Sequence, residues 1–380
     1  MSDRLFNATQ LIGNALSIVS TISQLLSTFD INLDTSASFR RLLETSSEGG
    51  GGGGRRGKLL GANQNSGGQL KPNAVVAKDV SGQYKTIATA LAAYPKNNKG
   101  RYIIYIKEGI YDEYITITKD QVNVFMYGDG SRKTMVTGKK SNTGGFPTFR
   151  TAFFRNRKWE QRNTLNLLKR KQRNKFAAIG DGFIAKSMGF QNTARAESYM
   201  SAFYNCRMNG YQDTLYVQAH RQFYRNCVVS GTIDFIFSDT SVVIQNSLVV
   251  RKPMDNQQNT VTAHGRTTTK EINGVVIQNC SIVPKDKLYP VRFQILTYLG
   301  HPWKEYYRAV IMESTLADFI QPARWLPWAG TFALDTCYFA EYASRGLGAI
   351  TTKRVWYIHY HNHVSLVKHI KFHKGTSGTG

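Results

Sequence analysis

Between about residues 72 and 355, apolar residues come in short runs of Val, Ile, Phe and Tyr, separated by Gly, Asn and Asp, with no long stretch at helical period. Runs of this kind predict strands. One run-and-turn unit recurs. It ends at Asn205 in Phe-Tyr-Asn-Cys, at Asn226 in Phe-Tyr-Arg-Asn-Cys, at Asn246 in Val-Ile-Gln-Asn-Ser and at Asn279 in Val-Ile-Gln-Asn-Cys, with spacings of 21, 20 and 33 residues. A β-rich period near 20 predicts an all-β parallel β-helix, in which each rung buries its inner face only by stacking on its neighbours; a β-sandwich with chance similarity is the alternative. The long third interval predicts a rung carrying a loop over roughly 251–270. An earlier Phe-Gln-Asn-Thr at Asn192 reads as the preceding rung, yet it lies only 13 residues before Asn205, as if about 8–10 residues were missing.

The ends are different in kind. Leu11, Ile12, Ala15, Leu16, Val19, Ile22 and Leu26 recur at helical spacing, broken by Asn14, Ser17, Ser20, Ser23 and Gln24, which predicts an amphipathic helix and not a membrane span. The start lacks the basic residues and small-residue cleavage site of a signal peptide. Six glycines, Gly49 to Gly54, then sit between Arg40-Arg41-Leu42-Leu43 and Arg55-Arg56, which reads as an exposed processing junction or as a plain linker. At the other end, His359, His361 and His363 would share a strand face, but no Cys, Asp or Glu accompanies them, so no metal site is expected.

Charge narrows the choice of partner. The 380 residues hold 49 Lys and Arg against 25 Asp and Glu, a net charge of +24. Nucleic acid, anionic lipid or an acidic polymer could answer such a charge. However, residues 153–175 alone hold nine basic residues and one acid, and read as a solvated insert. The remainder suits an acidic polysaccharide, and neither a nucleic-acid module nor a membrane segment is expected. Of the four cysteines, Cys206 and Cys227 share the rung offset and would stack closely enough to bridge in an oxidising compartment. Cys280 faces Ser247 in the repeat and is expected to be a free thiol.

The candidate chemistry lies in the same repeat. Asp213 in Gly-Tyr-Gln-Asp-Thr-Leu-Tyr (210–216) and Asp234 in Gly-Thr-Ile-Asp-Phe-Ile-Phe (231–237) are 21 residues apart, the offset of Cys206 and Cys227. Equivalent positions on successive rungs lie roughly 5 Å apart. Two carboxylates that close cannot both ionise cheaply, so one is pushed toward its protonated form, giving an acid beside a base or nucleophile. Strand alternation would put Asp234 and Ile236 on one side, and Phe235 and Phe237 on the other. The plainer reading makes both aspartates turn residues that satisfy backbone groups.

At these residues the chain resembles the plant pectin methylesterases. The matching stretches are Val75-Val-Ala-Lys-Asp79, Gly109-Ile-Tyr-Asp-Glu113, Tyr127-Gly-Asp-Gly130, Gly182-Phe-Ile-Ala-Lys186, the two aspartate motifs, Ala263-His-Gly-Arg266 and Leu299-Gly-His-Pro-Trp303. The resemblance covers about 71–355 as a right-handed parallel β-helix domain. It makes 1–48 the end of an inhibitor-like helical pro-region, 49–70 a linker with processing motifs and 356–380 a divergent tail. It implies hydrolysis of the methyl esters of homogalacturonan, without a cofactor. Asp234 would be the nucleophile and Asp213 the general acid and base. Gln212 would stabilise the oxyanion, Trp303 would stack on a sugar ring and Thr148 would contact substrate. It further implies a secreted, monomeric cell-wall enzyme whose partners are pectin and a proteinaceous pectinesterase inhibitor, with the true start of the chain upstream.

The chain departs from this pattern at four places. A Gln-Ala-Val-Ala-Leu segment, with a second oxyanion glutamine, has no counterpart near Arg195 to Met200. His301 stands where the family has arginine; a histidine carries charge only when protonated, below roughly pH 6.5. The insert at 153–175 and the tail after about Val355 are the others. A pectin-binding homologue without turnover, and another β-helix galacturonan enzyme such as a glycosidase, are therefore kept as alternatives.

Overall fold

The computed structural model describes residues 71–137, 176–178, 180–191, 194–196, 200–217, 221–251, 258–271, 273–350, 352–353 and 359–360. The amphipathic segment, the linker, Thr148, the basic insert and His361 and His363 lie outside them. Among the described residues, three parallel sheets of eleven, eight and seven strands wind around one apolar bore as a parallel β-helix. The one α-helix among the described residues, Ile87–Ala92, sits near their start; the Thr86 side chain caps it by accepting from the Thr89 amide at 3.1 Å.

One rung shows how sequence becomes coil. Met200–Tyr204 lies in the eleven-stranded sheet, Arg207–Asn209 in the eight-stranded sheet and Leu215–Val217 in the seven-stranded sheet. The next rung repeats this with Arg221–Arg225, Val228–Gly231 and Ile236–Ser238. The corner between the first two sheets is a single residue in the left-handed region: Asn205, Asn226, Asn246 and Asn279, at φ 52°, 53°, 49° and 48°. Asparagine tolerates that conformation because its short amide bonds locally. The amides also bind along the stack, as in Asn279 Nδ2 to Asn246 Oδ1 at 2.9 Å. The repeat read from sequence is thus a ladder of turns.

The register corrects two expectations. Asn205 Nδ2 donates to Ser187 Oγ at 3.0 Å, and Ser187 has the same left-handed backbone (φ 55°). The equivalent of Asn205 on the preceding rung is therefore Ser187, not Asn192, and that rung is 18 residues long instead of 13. The segment read as a loop, 251–270, contains the fully buried strand Asn259–His264 of the seven-stranded sheet.

Inner positions stack in ladders. Tyr224, Ile244, Ile277 and Ile311 are successive register partners, all essentially inaccessible. Each such side chain contributes about 1.5–3 kcal/mol by leaving water. The next partner of Ile311 is Glu341, 3% exposed, which points into the bore of the last full rung. Arg324, itself 1% exposed, pairs with it and donates to the Gly348 carbonyl.

The expected Cys206–Cys227 bridge is not formed: both are free, buried thiols. Each Sγ instead donates to backbone carbonyls, Cys206 to Tyr204 at 3.3 Å and Cys227 to Arg225 at 3.3 Å. Burial drives the Cys227 thiol well above its usual pKa, which opposes the thiolate needed for exchange. Cys280 is a free thiol as expected.

Candidate active site

The aspartates occupy the corner between the eight- and seven-stranded sheets. Each stands two residues ahead of a strand that begins at Leu215 or Ile236, and these strands pair in register. Both are left-handed, Asp213 at φ 55° and Asp234 at φ 47°. Asp213 N–H donates to the Ile233 carbonyl at 3.0 Å, so the two turns stack directly. Gly231 makes the stacking possible: a Cβ there would lie 2.1 Å from Phe235 Cβ and 2.6 Å from Thr214 Oγ1.

The left-handed turn also overturns the expected alternation. Phe235 and Ile236 are both in the core, whereas Asp234 stays partly accessible. Phe237 stacks on Tyr216, its equivalent one rung back, with ring centroids 4.0 Å apart. Trp303 meets Phe237 edge-on at 6.3 Å, and a Cβ at Gly265 would press on Trp303 at 2.9 Å. Aromatic rings therefore continue from the two carboxylates along the same corner.

The carboxylates differ sharply. Burial, and after it the charge of Asp234, pushes Asp213 up to about 7. Asp234 is held by contacts on one oxygen. His301 Nε2 donates to Asp234 Oδ1 at 2.7 Å, and the Thr260 hydroxyl donates to the same Oδ1. Thr260 Oγ1 also accepts the Asp234 amide at 3.0 Å. His301 is 2% exposed and leans on Trp328 with ring centroids 4.3 Å apart. Its Nδ1 is buried without a hydrogen-bond partner. An imidazole gives Asp234 one such bond where a guanidinium fork gives two.

Gln212 is exposed, next to Asp213. Thr148 lies outside the described residues, so its expected contact has no geometry here. Thr260 was hidden in the sequence because its stretch read as loop, and Trp328 because no repeat or motif marks it. The Ala-His-Gly-Arg motif is scaffolding. His264 is fully buried and its pKa is lowered to about 4 by that burial; its Nε2 faces the Thr240 carbonyl at 3.1 Å and its Nδ1 accepts the Arg266 amide at 3.0 Å. Arg266 donates to the Glu271, Thr269 and Tyr306 carbonyls and so ties the loop behind Trp303. Among the described residues no group of three or more His, Cys, Asp or Glu could hold a metal, and no helix is long and apolar enough to cross a membrane.

A raised and an anchored carboxylate on successive rungs of a parallel β-helix can serve as an acid beside a nucleophile. The pectinesterase family model matches residues 73–163 and 160–376, and the chain belongs to that family. It is 48% identical over 298 residues to the probable pectinesterase/pectinesterase inhibitor 13 of Arabidopsis thaliana, covering 75% of this chain and 45% of that protein. It is 43% identical over 295 residues to a pectinesterase of Daucus carota, covering 75% of this chain and 86% of that one. Among solved structures, the pectin methylesterase from carrot matches with a TM-score of 0.70 and 38% identity, covering 80% of this chain and 92% of that one. The chain spans about half the length of the Arabidopsis relatives it matches.

Proposed function

We propose that this protein hydrolyses methyl esters on the carboxyl groups of a galacturonan, releasing methanol and leaving the free uronate. The observation that carries the reading is the asymmetry of the pair: Asp213 is raised to about 7 beside an Asp234 that is fixed by His301 and Thr260. Asp234 attacks the ester carbonyl carbon and forms an acyl-enzyme as the C–O bond to methanol breaks. Asp213, still protonated near neutral pH, gives its proton to the departing methoxide. It then takes a proton from water as that water attacks the acyl carbon, which frees the uronate and restores Asp234. Gln212 donates to the oxyanion, Trp303 supplies a sugar platform and Thr148 contacts the substrate. No step calls for a cofactor or metal.

The setting follows from the same reading: a secreted monomer acting on pectin in the plant cell wall, open to a proteinaceous pectinesterase inhibitor. The single hydrogen bond from His301 favours a second reading, a pectin-binding homologue with little turnover. Methanol release from highly methylated pectin by the full chain and by Asp234→Ala, between pH 5 and 8, separates the two. Release that the substitution abolishes supports the esterase. A folded chain that binds pectin and releases nothing supports the second reading, and release of reducing ends instead of methanol would sink both.

A further inference from the structure

The chain carries a second row of side chains, on the opposite corner of the same rungs. The last outward position of the eleven-stranded sheet runs, in register, Tyr127, Lys186, Tyr204, Arg225. Their neighbours Met126, Ala185, Phe203 and Tyr224 fill the bore, so these four face outward and are partly accessible. One rung separates each from the next, about 4.8 Å. Across the asparagine turn, Arg207 faces outward between Cys206 and Met208, which lie in the core. Burial depresses the Arg207 guanidinium, and the nearby charge of Arg132 adds a smaller push in the same direction.

Among the described residues no ion pair is formed by this row. Lys186, Arg207 and Arg225 are all lowered by burial, and Nε of both arginines is buried without an acceptor. Asp129, two residues after Tyr127, already accepts from the Tyr105 hydroxyl at 2.6 Å and the Glu108 amide at 2.7 Å. Glu313, farther along the stack, accepts from Gln278 Nε2 at 3.0 Å. Partly desolvated cations without anions favour a bound anion. Aromatic faces alternating with cations select its type: a polymer with a flat ring and one carboxylate per repeat.

We infer that Tyr127, Lys186, Tyr204, Arg207 and Arg225 form a binding track for an unesterified polyuronate, separate from the aspartate corner. The choice of polymer rests on the proposed activity, whose product has this chemistry. Tyr204 and Asp213 share one rung, and Arg225 and Asp234 the next, so a product chain held on the track leaves the aspartate corner open.

Binding to immobilised, unesterified polygalacturonate tests the track without turnover. The full chain and its K186Q/R207Q/R225Q variant are compared across salt concentrations, each also carrying Asp234→Ala. The variant should bind more weakly, with a salt slope smaller by about three, one per cation removed. With Asp234 intact, methanol release from a short methylated oligogalacturonate should be unchanged by the triple substitution. An unaltered slope overturns the track, and so does an equal loss of binding to single-stranded DNA, which would mark a general polyanion surface. If the triple variant melts early, Lys186→Gln and Arg225→Gln singly should each lower the slope by about one; two unchanged slopes overturn the inference. A reduced slope, together with no methanol release when Asp234 is intact, would retain the track and reject the esterase.

Discussion

On the two rungs that carry the aspartates, both corners flanking the eight-stranded sheet are built by the same backbone device and do opposite things. At one, Asn205 and Asn226 turn the chain at φ 52° and 53°; at the other, Asp213 and Asp234 turn it at φ 55° and 47°. Along the first corner, neutral amides both donate and accept, as between Asn279 and Asn246. At the second, the amide nitrogen is replaced by an oxygen that can only accept when ionised. A stack that would be self-satisfied becomes a like-charge contact, and Asp213 holds its proton up to about 7. The site is thus a repeat turn in which an acid stands where the other corner carries an amide.

The sharpest way to break the comparison is at Asp234. Asp234→Ala should lower methanol release by about 10³-fold or more, as loss of a covalent nucleophile does, while the fold, read by circular dichroism, persists.

Asp213→Asn converts the acid corner toward the amide corner. Methanol release should fall by about 10²–10⁴. Stability should move the other way. The folded-state pKa of Asp213 lies above that of an unfolded aspartate, so the unfolded chain loses this proton first. Stability therefore declines as pH rises from about 4 to about 7 and is level above that. At pH 8 the asparagine variant should be more stable by roughly 1–3 kcal/mol, seen as a higher melting temperature; an unchanged melt would reject the raised pKa.

His301→Arg sharpens the site. A guanidinium fork stays charged at every working pH, so turnover at pH 8 should rise by about tenfold relative to that at pH 6. A pH–rate profile superimposable on that of the parent would show that the imidazole already holds Asp234 adequately. The smallest effect belongs to the other corner. Asn226→Ala should cost about 1 kcal/mol, because alanine resists the left-handed region, and should leave methanol release unchanged.

Much of this was legible because the repeat writes structure and chemistry at one offset. Asn205 and Asn226, the aspartate pair, and the stacked Tyr216 and Phe237 are each 21 residues apart. What stayed hidden depends on contacts between distant segments. Thr260 reaches Asp234 across 26 residues and His301 across 67, and no local pattern marks the threonine. Alternation failed at Asp234 because a left-handed residue resets which side the next one takes, putting Phe235 and Ile236 both inward. Cys206 and Cys227 do stack on adjacent rungs, as their shared offset implies, with each thiol donating to a backbone carbonyl and the two side chains close enough to interact.

The ion pair of Glu341 and Arg324 changes what that part of the bore can tolerate. Along the ladder of Tyr224 and three isoleucines each inner side chain needs only apolar neighbours of the right volume. Glu341 needs one particular partner. Replacing Arg324 alone strands a charge in the core, whereas replacing both by apolar residues of like volume strands none. The two positions, 17 residues apart in the chain, can therefore change only together.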